Sequence, residues 1–126
     1  MHRSRLGGFI IDCKTDDLDG ASTFWSLALG YPRAVPSPED AGRYVPLETP
    51  PHELPVEVQK VEHPSRVHID IESDDIEAEA ARLEKLGARR LGMVRDWCVM
   101  EAPSGHRFCV VKPQRQDFEQ SANVWE

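Results

Sequence analysis

The alternation of apolar and polar residues predicts the same beginning for each half of the chain. Residues 9–18, FIIDCKTDDL, and residues 67–76, VHIDIESDDI, both alternate with the period of a strand and then reach an aspartate suited to a helix N-cap. At one constant offset, Asp12 corresponds to Asp70. The sequence therefore predicts an internal repeat whose unit opens with a strand followed by a helix.

Both predicted helices carry an apolar stripe at helical spacing and end at a glycine. The first covers residues 18–29 and stops at Gly30. Its apolar stripe is formed by Leu18, Ala21, Trp25 and Ala28 and is widened by Phe24 and Leu29. The second covers residues 76–86 and stops at Gly87. Its stripe is Ile76, Ala80, Leu83 and Leu86, and its predicted water-facing residues are Glu77, Glu79, Arg82, Glu84 and Lys85.

Strands are expected after each helix. In the second half they are residues 88–91, 97–102 and 107–112, and the turn PSGH joins the last two into a hairpin. In the first half, strands near 42–47 and 55–61 lie between proline-rich loops.

The predicted fold class is α+β, with two tandem βαβββ modules. Module one covers about residues 6–61, module two about 66–113, and the tail 114–126 has no clear periodicity. A half of this size exposes too much apolar surface to be stable alone, so we expect one domain over residues 1–126.

Composition narrows the functional classes. Apolar residues make up 40% and charged residues 29%, and the net charge of −7 argues against a nucleic-acid partner. An acidic surface suits a cationic ligand, although solubility alone also explains it. No apolar run approaches a membrane span, and the start MHRSRLGG has no hydrophobic signal region. Three cysteines within apolar stretches favour a reducing, cytoplasmic compartment over a disulfide framework.

Three segments of the chain together resemble the vicinal oxygen chelate superfamily, in particular its small glyoxalase-like proteins. They are LGGFIIDCKTDDLDGASTFWSLALGYP, RVHIDIESDDIEAEAARLEKLGA and WCVMEAPSGHRFCVVKP. The resemblance implies a cupped mixed sheet with helices outside and the ligand inside. It also implies that metal-dependent members take ligands from the first strand of each module, usually His, and from the last strand, usually Glu. Members include glyoxalases, ring-cleaving dioxygenases, epoxide-opening thiol transferases and metal-free, bleomycin-resistance-like proteins.

His68 is the central candidate because it falls where the resemblance expects the ligand of the second module's first strand. Alternation puts His68 and Asp70 on one strand face and Val67, Ile69 and Ile71 on the other. Since the apolar face should meet the helix, His68 is predicted to face the pocket. It is either a metal ligand or a polar residue that hydrogen-bonds a ligand.

The partners that a metal at His68 would need match poorly. The repeat places Ile10 opposite His68, and an isoleucine coordinates nothing. Where the resemblance expects a glutamate four residues after a glycine, Cys109 follows Gly105. In module one, Glu57 and Gln59 are alternatives whose register the sequence leaves open. The fullest metal set is therefore His68, Cys109 and Glu57, for zinc, nickel or iron.

Further residues are predicted to line the pocket beside His68. Asp12 and Asp70 can work with His68 as general acid and base, or can bond to loop amides and arginines as structural elements of the repeat. Tyr44, Trp97 and Cys109 are expected to contact a substrate, although Trp97 serves equally well as a core residue.

Two functions follow. The first is metal-free binding of a small organic molecule, favoured by the incomplete metal set. The alternative is a metal-dependent lyase, isomerase or dioxygenase of the glyoxalase type, centred on His68. A homodimer is also expected, mainly from the resemblance, with Phe118 and Trp125 of the tail covering a neighbouring chain.

Overall fold

The computed structural model describes every residue from Met1 to Glu126 and contains eight strands and three helices. None of the helices has the length and apolar character that a membrane crossing requires. The elements are β1 His2–Lys14, α1 Leu18–Leu29, β2 Tyr44–Leu47, β3 Val56–Val61, β4 Arg66–Ser73, α2 Ile76–Lys85, β5 Arg89–Val94, β6 Trp97–Glu101, β7 Arg107–Val111, α3 Phe118–Ser121 and β8 Asn123–Trp125.

The strand pairing is mixed, which confirms the predicted α+β class. β1 with β3 and β4 with β7 are parallel, whereas β2 with β3, β5 with β6 and β6 with β7 are antiparallel. In the first module, the strand expected directly after α1 is reduced to a single bridge between Arg33 and Leu47. Prolines on both sides of Arg33 explain this, because a proline has no N–H to donate to a ladder.

The chain forms two compact units. The N-terminal unit is Gly8–Val67, and the C-terminal unit is Met1–Gly7 with His68–Glu126. The first strand, β1, contributes residues to both. That the two units form one domain stays a prediction.

In the N-terminal unit, α1 packs on one face of strands ordered β2-β3-β1. Asp17 caps the helix by accepting a hydrogen bond from the Gly20 N–H, and Gly30 ends it with φ of 77°. Both signals were readable in the sequence. Phe24 and Leu29 are exposed, so they do not widen the packed stripe. The core consists of Cys13, Leu47 and Val58, with Ile11, Leu18, Ala21, Trp25, Tyr31 and Val56 packed against it.

In the C-terminal unit, α2 packs on β5, β6 and β7. The core consists of Ala80, Leu83, Cys98, Met100, Phe108 and Val110. Ile71 of β4 packs against it, but Ile69 of the same strand is exposed, as is Val67, with which the N-terminal unit ends. The predicted stripe residue Leu86 is 66% exposed and lies at the C-cap, after the last helical residue Lys85.

The tail is ordered and packs on its own chain, which corrects the expectation that it covers a neighbour. β8 pairs antiparallel with the start of β1. Phe118 is buried, and the Trp125 indole N–H donates to Ser4 Oγ at 2.8 Å. The Arg82 guanidinium lies over the Trp125 ring at 3.9 Å. The homodimer therefore rests on the resemblance alone and stays a prediction.

The start of the chain is also more structured than expected. β1 begins at His2, whose Nε2 lies 2.8 Å from Glu79 Oε1. Arg82 donates from Nε and Nη2 to the two oxygens of the same carboxylate, each at 2.8 Å. The prediction that Glu79 faces water is wrong, because an ion-pair cluster buries it completely.

Candidate functional site

The predicted site lies on the face of β4-β7-β6 that points away from α2. The register pairs Asp70 with Cys109 and Cys109 with Val99, and residues paired across strands share a face. Their neighbours Phe108 and Val110 point to the opposite side, where α2 packs. His68 stands two residues before Asp70 and therefore belongs to the same face as Cys109.

His68, Asp70 and Cys109 form a compact polar group. One potential ligand atom of each residue lies within 4.8 Å of the other two. His68 Nε2 is 3.7 Å from Asp70 Oδ1, and the two side chains are 12% and 20% exposed. This distance is longer than a hydrogen bond, but it allows an electrostatic interaction in a partly desolvated place. Cys109 is half-buried and forms no disulfide.

The donor set of this group fits a divalent metal in chemistry and in number. It comprises an imidazole nitrogen, a carboxylate oxygen and a thiol sulfur. Zinc accepts all three kinds of ligand, and catalytic zinc sites commonly use three protein ligands. Imidazole also suits nickel and iron. Thus His68, Asp70 and Cys109 are the residues that would hold such an ion.

The register of β3 decides between Glu57 and Gln59, the two alternatives that the sequence left open for module one. Glu57 pairs with Ile10, whereas Gln59 pairs with Asp12. Since Asp70 pairs with Cys109, the counterpart of Cys109 in module one is Gln59. An amide is a poor substitute for a thiolate or carboxylate, and the counterpart of His68 is Ile10. All three grouped donors therefore come from module two, and the group contains Asp70 but not Glu57.

The remaining candidates of module one lie in the N-terminal unit. Asp12 is buried, with Oδ2 3.7 Å from Arg66 Nε and 3.9 Å from His63 Nε2. These contacts favour the structural alternative for Asp12, in which basic side chains balance a repeated aspartate. Tyr44 pairs with Gln59 across the strands, and its hydroxyl accepts a hydrogen bond from Gln59 Nε2 at 3.1 Å.

The N-terminal unit also has an open polar cavity of about 490 Å³. Arg43, Gln59, Lys60 and His63 are among the residues that line it. Of the residues singled out from the sequence it contains only Gln59, and its lining mixes charges without a cluster of metal ligands.

Trp97 shares the face of the His68 group by alternation along β6, because Val99 pairs with Cys109. Its ring is half-buried, with the Arg95 guanidinium 5.7 Å from the ring centroid. Phe108, by contrast, belongs to the core under α2. The face therefore combines polar groups with one aromatic wall. That these residues contact a ligand stays a prediction.

Three charged residues on the same face were not singled out from the sequence. Glu101 pairs with Arg107 across the hairpin, and Arg89 pairs with Glu101 on the other side. The turn PSGH does not reveal the first pair by itself, because five residues, 102–106, separate Glu101 from Arg107 in the observed register.

Comparison with known proteins agrees with this architecture. The family model described as a glyoxalase-like domain matches residues 8–111. A hypothetical protein from Bacillus halodurans C-125 has a similar structure, with TM-score 0.65, 14% identity, and coverage of 90% of this chain and 96% of that one. Methylmalonyl-CoA epimerase from Mycobacterium tuberculosis gives TM-score 0.62 and 16% identity over 86% and 87% of the two chains.

The Streptomyces coelicolor methylmalonyl-CoA epimerase, solved in complex with 2-nitronate-propionyl-CoA, gives TM-score 0.59 and 18% identity over 86% of this chain and 96% of that one. No curated protein matches. At these identities the structural likeness establishes the fold alone. The family match covers most of the chain, and the chain belongs to the glyoxalase-like domain family, within the vicinal oxygen chelate superfamily.

Proposed function

We propose that the protein binds a small organic molecule on the face that carries His68, Asp70, Cys109 and Trp97. The observation that supports this most is the convergence of three half-buried polar side chains, with ligand atoms within 4.8 Å of one another. Ligand sites typically combine a few convergent polar groups with apolar and aromatic walls. Trp97 and Val99 supply such walls on the same face.

A binding role needs no metal, and the residues of module one support that choice. Ile10 and Gln59 occupy the positions that correspond to His68 and Cys109. The resemblance implies a metal site that takes ligands from both modules. Such a site would here lose the donors that module one supplies, which are half of the set. In the proposed role, His68 and Asp70 hydrogen-bond the polar part of the ligand, while Trp97 contacts its flat or apolar part.

Thermal-shift measurements on the purified protein test this proposal. The probes are methylglyoxal, catechol, phenylpyruvate, benzamide and methylmalonyl-CoA. At least one of them should raise Tm by several degrees when present well above its Kd, because a ligand that binds only the folded state stabilises it. His68→Ala should reduce that shift strongly. His106→Ala should leave it unchanged, since this histidine lies in the exposed hairpin turn.

An equal shift in wild-type protein and in His68→Ala would contradict the proposed site. Absence of any shift with every probe would contradict the binding role itself.

A second function is favoured by the donor set. The protein would then be a metal-dependent lyase, isomerase or dioxygenase of the glyoxalase type, with zinc, nickel or iron held by His68, Asp70 and Cys109. A bound metal would supply Lewis-acid polarisation of substrate oxygens. Metal analysis of protein purified without a histidine tag separates the two functions: near-stoichiometric metal that is lost in His68→Ala supports the second one.

A further inference from the structure

The charged residues beside the His68 group carry a more specific inference about the ligand. Building on the proposed function, we infer that the ligand is a small organic carboxylate whose anionic end is bound by Arg107. The rest of the molecule then extends toward His68, Asp70 and Cys109.

The sheet register brings Arg107 next to this group. Ile69 pairs with Phe108 in the parallel ladder of β4 and β7, and His68 and Arg107 each stand one residue earlier. Neighbouring strands are about 4.8 Å apart, so the two side chains emerge side by side on the same face. Arg107, Cys109 and Asp70 therefore border one continuous patch of this face.

The local charge of the patch suits an anion. Glu101 accepts hydrogen bonds from Arg89 Nε at 2.9 Å and from Arg107 Nε at 3.3 Å. Two guanidinium groups thus share one carboxylate, so the cluster of Arg89, Glu101 and Arg107 carries a formal charge of +1, and the opposite charge of Asp70 lies across Cys109 from it. On a chain with a net charge of −7, this positively charged end of the patch is a place where the anionic end of a ligand is not repelled.

Arg107 has the donors that a carboxylate needs. Its contact with Glu101 uses Nε, and its side chain is 42% exposed, so the guanidinium remains accessible to a ligand. A planar guanidinium binds a carboxylate through two parallel N–H···O bonds. Arg89 is more exposed, at 70%, and already directs two nitrogens at Glu101. It therefore orients Glu101 and leaves Arg107 as the main anchor.

Asp70 limits what the other end of the ligand can be. Its carboxylate stands beside His68 and Cys109, so a second anionic group there would be repelled. A neutral polar group of the ligand, such as a carbonyl or hydroxyl, can instead accept a hydrogen bond from these side chains or donate one to them. The inferred ligand class is accordingly a monocarboxylate with a neutral polar or aromatic remainder, such as an aromatic 2-oxo acid.

Isothermal titration with matched probes tests the inference. Phenylpyruvate and benzoate are compared with methyl phenylpyruvate and benzamide, their neutral counterparts. Wild-type protein should bind the acids about tenfold more tightly than the neutral probes, as expected for one charge-assisted pair. Arg107→Gln should abolish most of this preference, and Arg107→Lys should restore part of it. Lys85→Gln removes the same charge from α2 and should keep the preference.

The outcomes separate this inference from the proposed function. Equal affinity of wild-type protein for acids and neutral probes overturns the carboxylate anchor and leaves organic-ligand binding intact. Binding of neither kind of probe overturns both. Loss of the preference in Lys85→Gln as well as in Arg107→Gln also overturns the anchor, because overall charge would then be the cause.

Discussion

Replacing Glu72 with glutamine is expected to lower the free energy of unfolding by about 3 to 5 kcal/mol, the range for breaking a buried ion pair. Glu72 is fully buried at the end of β4. Its carboxylate accepts from Arg5 Nε at 2.5 Å, from the Gln114 backbone N–H at 2.8 Å and from Arg115 Nη2 at 3.4 Å. Glutamine keeps the shape but removes the charge that these two arginines face, and its NH₂ points a donor at other donors.

Urea denaturation at pH 7 measures this effect. Glu119→Gln is the control, because Glu119 is exposed in α3 and carries the same chemical change. The control should stay within about 0.5 kcal/mol of wild type. A loss in Glu72→Gln no larger than in Glu119→Gln would show that the Glu72 cluster does not stabilise the fold.

The second large effect is expected at Glu79 and depends on pH. Burial alone would raise the pKa of this carboxyl group, but hydrogen bonds from Arg82, His2 and Ser4 lower it from 4.5 to about 2. A carboxyl whose pKa is lower in the folded state stabilises the fold fully above its unfolded pKa. That contribution is lost as pH falls from about 4.5 toward about 2. At pH 7, Glu79→Gln should cost about 3 kcal/mol, because it breaks a buried pair.

The unfolding free energies of wild type and Glu79→Gln should therefore converge as the pH is lowered from 5 toward 2.5. Glu84→Gln is the matched control on the same helix. Glu84 contacts Arg90 at 3.0 Å on the surface, where an ion pair contributes about 1 kcal/mol or less. A constant difference between wild type and Glu79→Gln over this pH range would contradict the account of the cluster.

The elements that follow local rules were predictable from the sequence. Asp17 and Asp75 cap the two main helices as the repeat suggested, and the hairpin of β6 and β7 forms where PSGH predicts it. These features depend on residues close in sequence, so a single sequence contains the information. The position of His68 and Asp70 on one face likewise follows from alternation within one strand.

What escaped prediction depends on partners far apart in the chain. Glu79 lies on a helix face that is polar in sequence and was therefore expected to be exposed. Its burial is explained by the ion pair with Arg82 and by the strand that begins at His2. The tail has no periodicity because β8 is only three residues long. Such contacts leave no local pattern in the sequence, because they depend on tertiary pairing and not on the secondary-structure propensity of neighbouring residues.

The candidate site, like the fold, was predictable only in its local features. His68 and Cys109 were predicted from the positions where the resemblance expects ligands, and Asp70 from alternation along its strand, but only the parallel register of β4 and β7 shows that Cys109 joins His68 and Asp70. The same kind of register shows that Gln59, and not Glu57, is the counterpart of Cys109. Strand register is set by pairing and turn geometry over long sequence distances, which a proline-rich loop region hides.

The central claim is that an organic ligand binds on the face around His68. Two-dimensional NMR of the ¹⁵N-labelled protein, titrated with phenylpyruvate and catechol, tests it residue by residue. The account predicts that the largest shift changes fall on His68, Asp70, Cys109 and the Trp97 indole, and that His68→Ala weakens them. Changes concentrated instead around Arg43 and Lys60 of the N-terminal cavity, or no saturable changes at all, would contradict it.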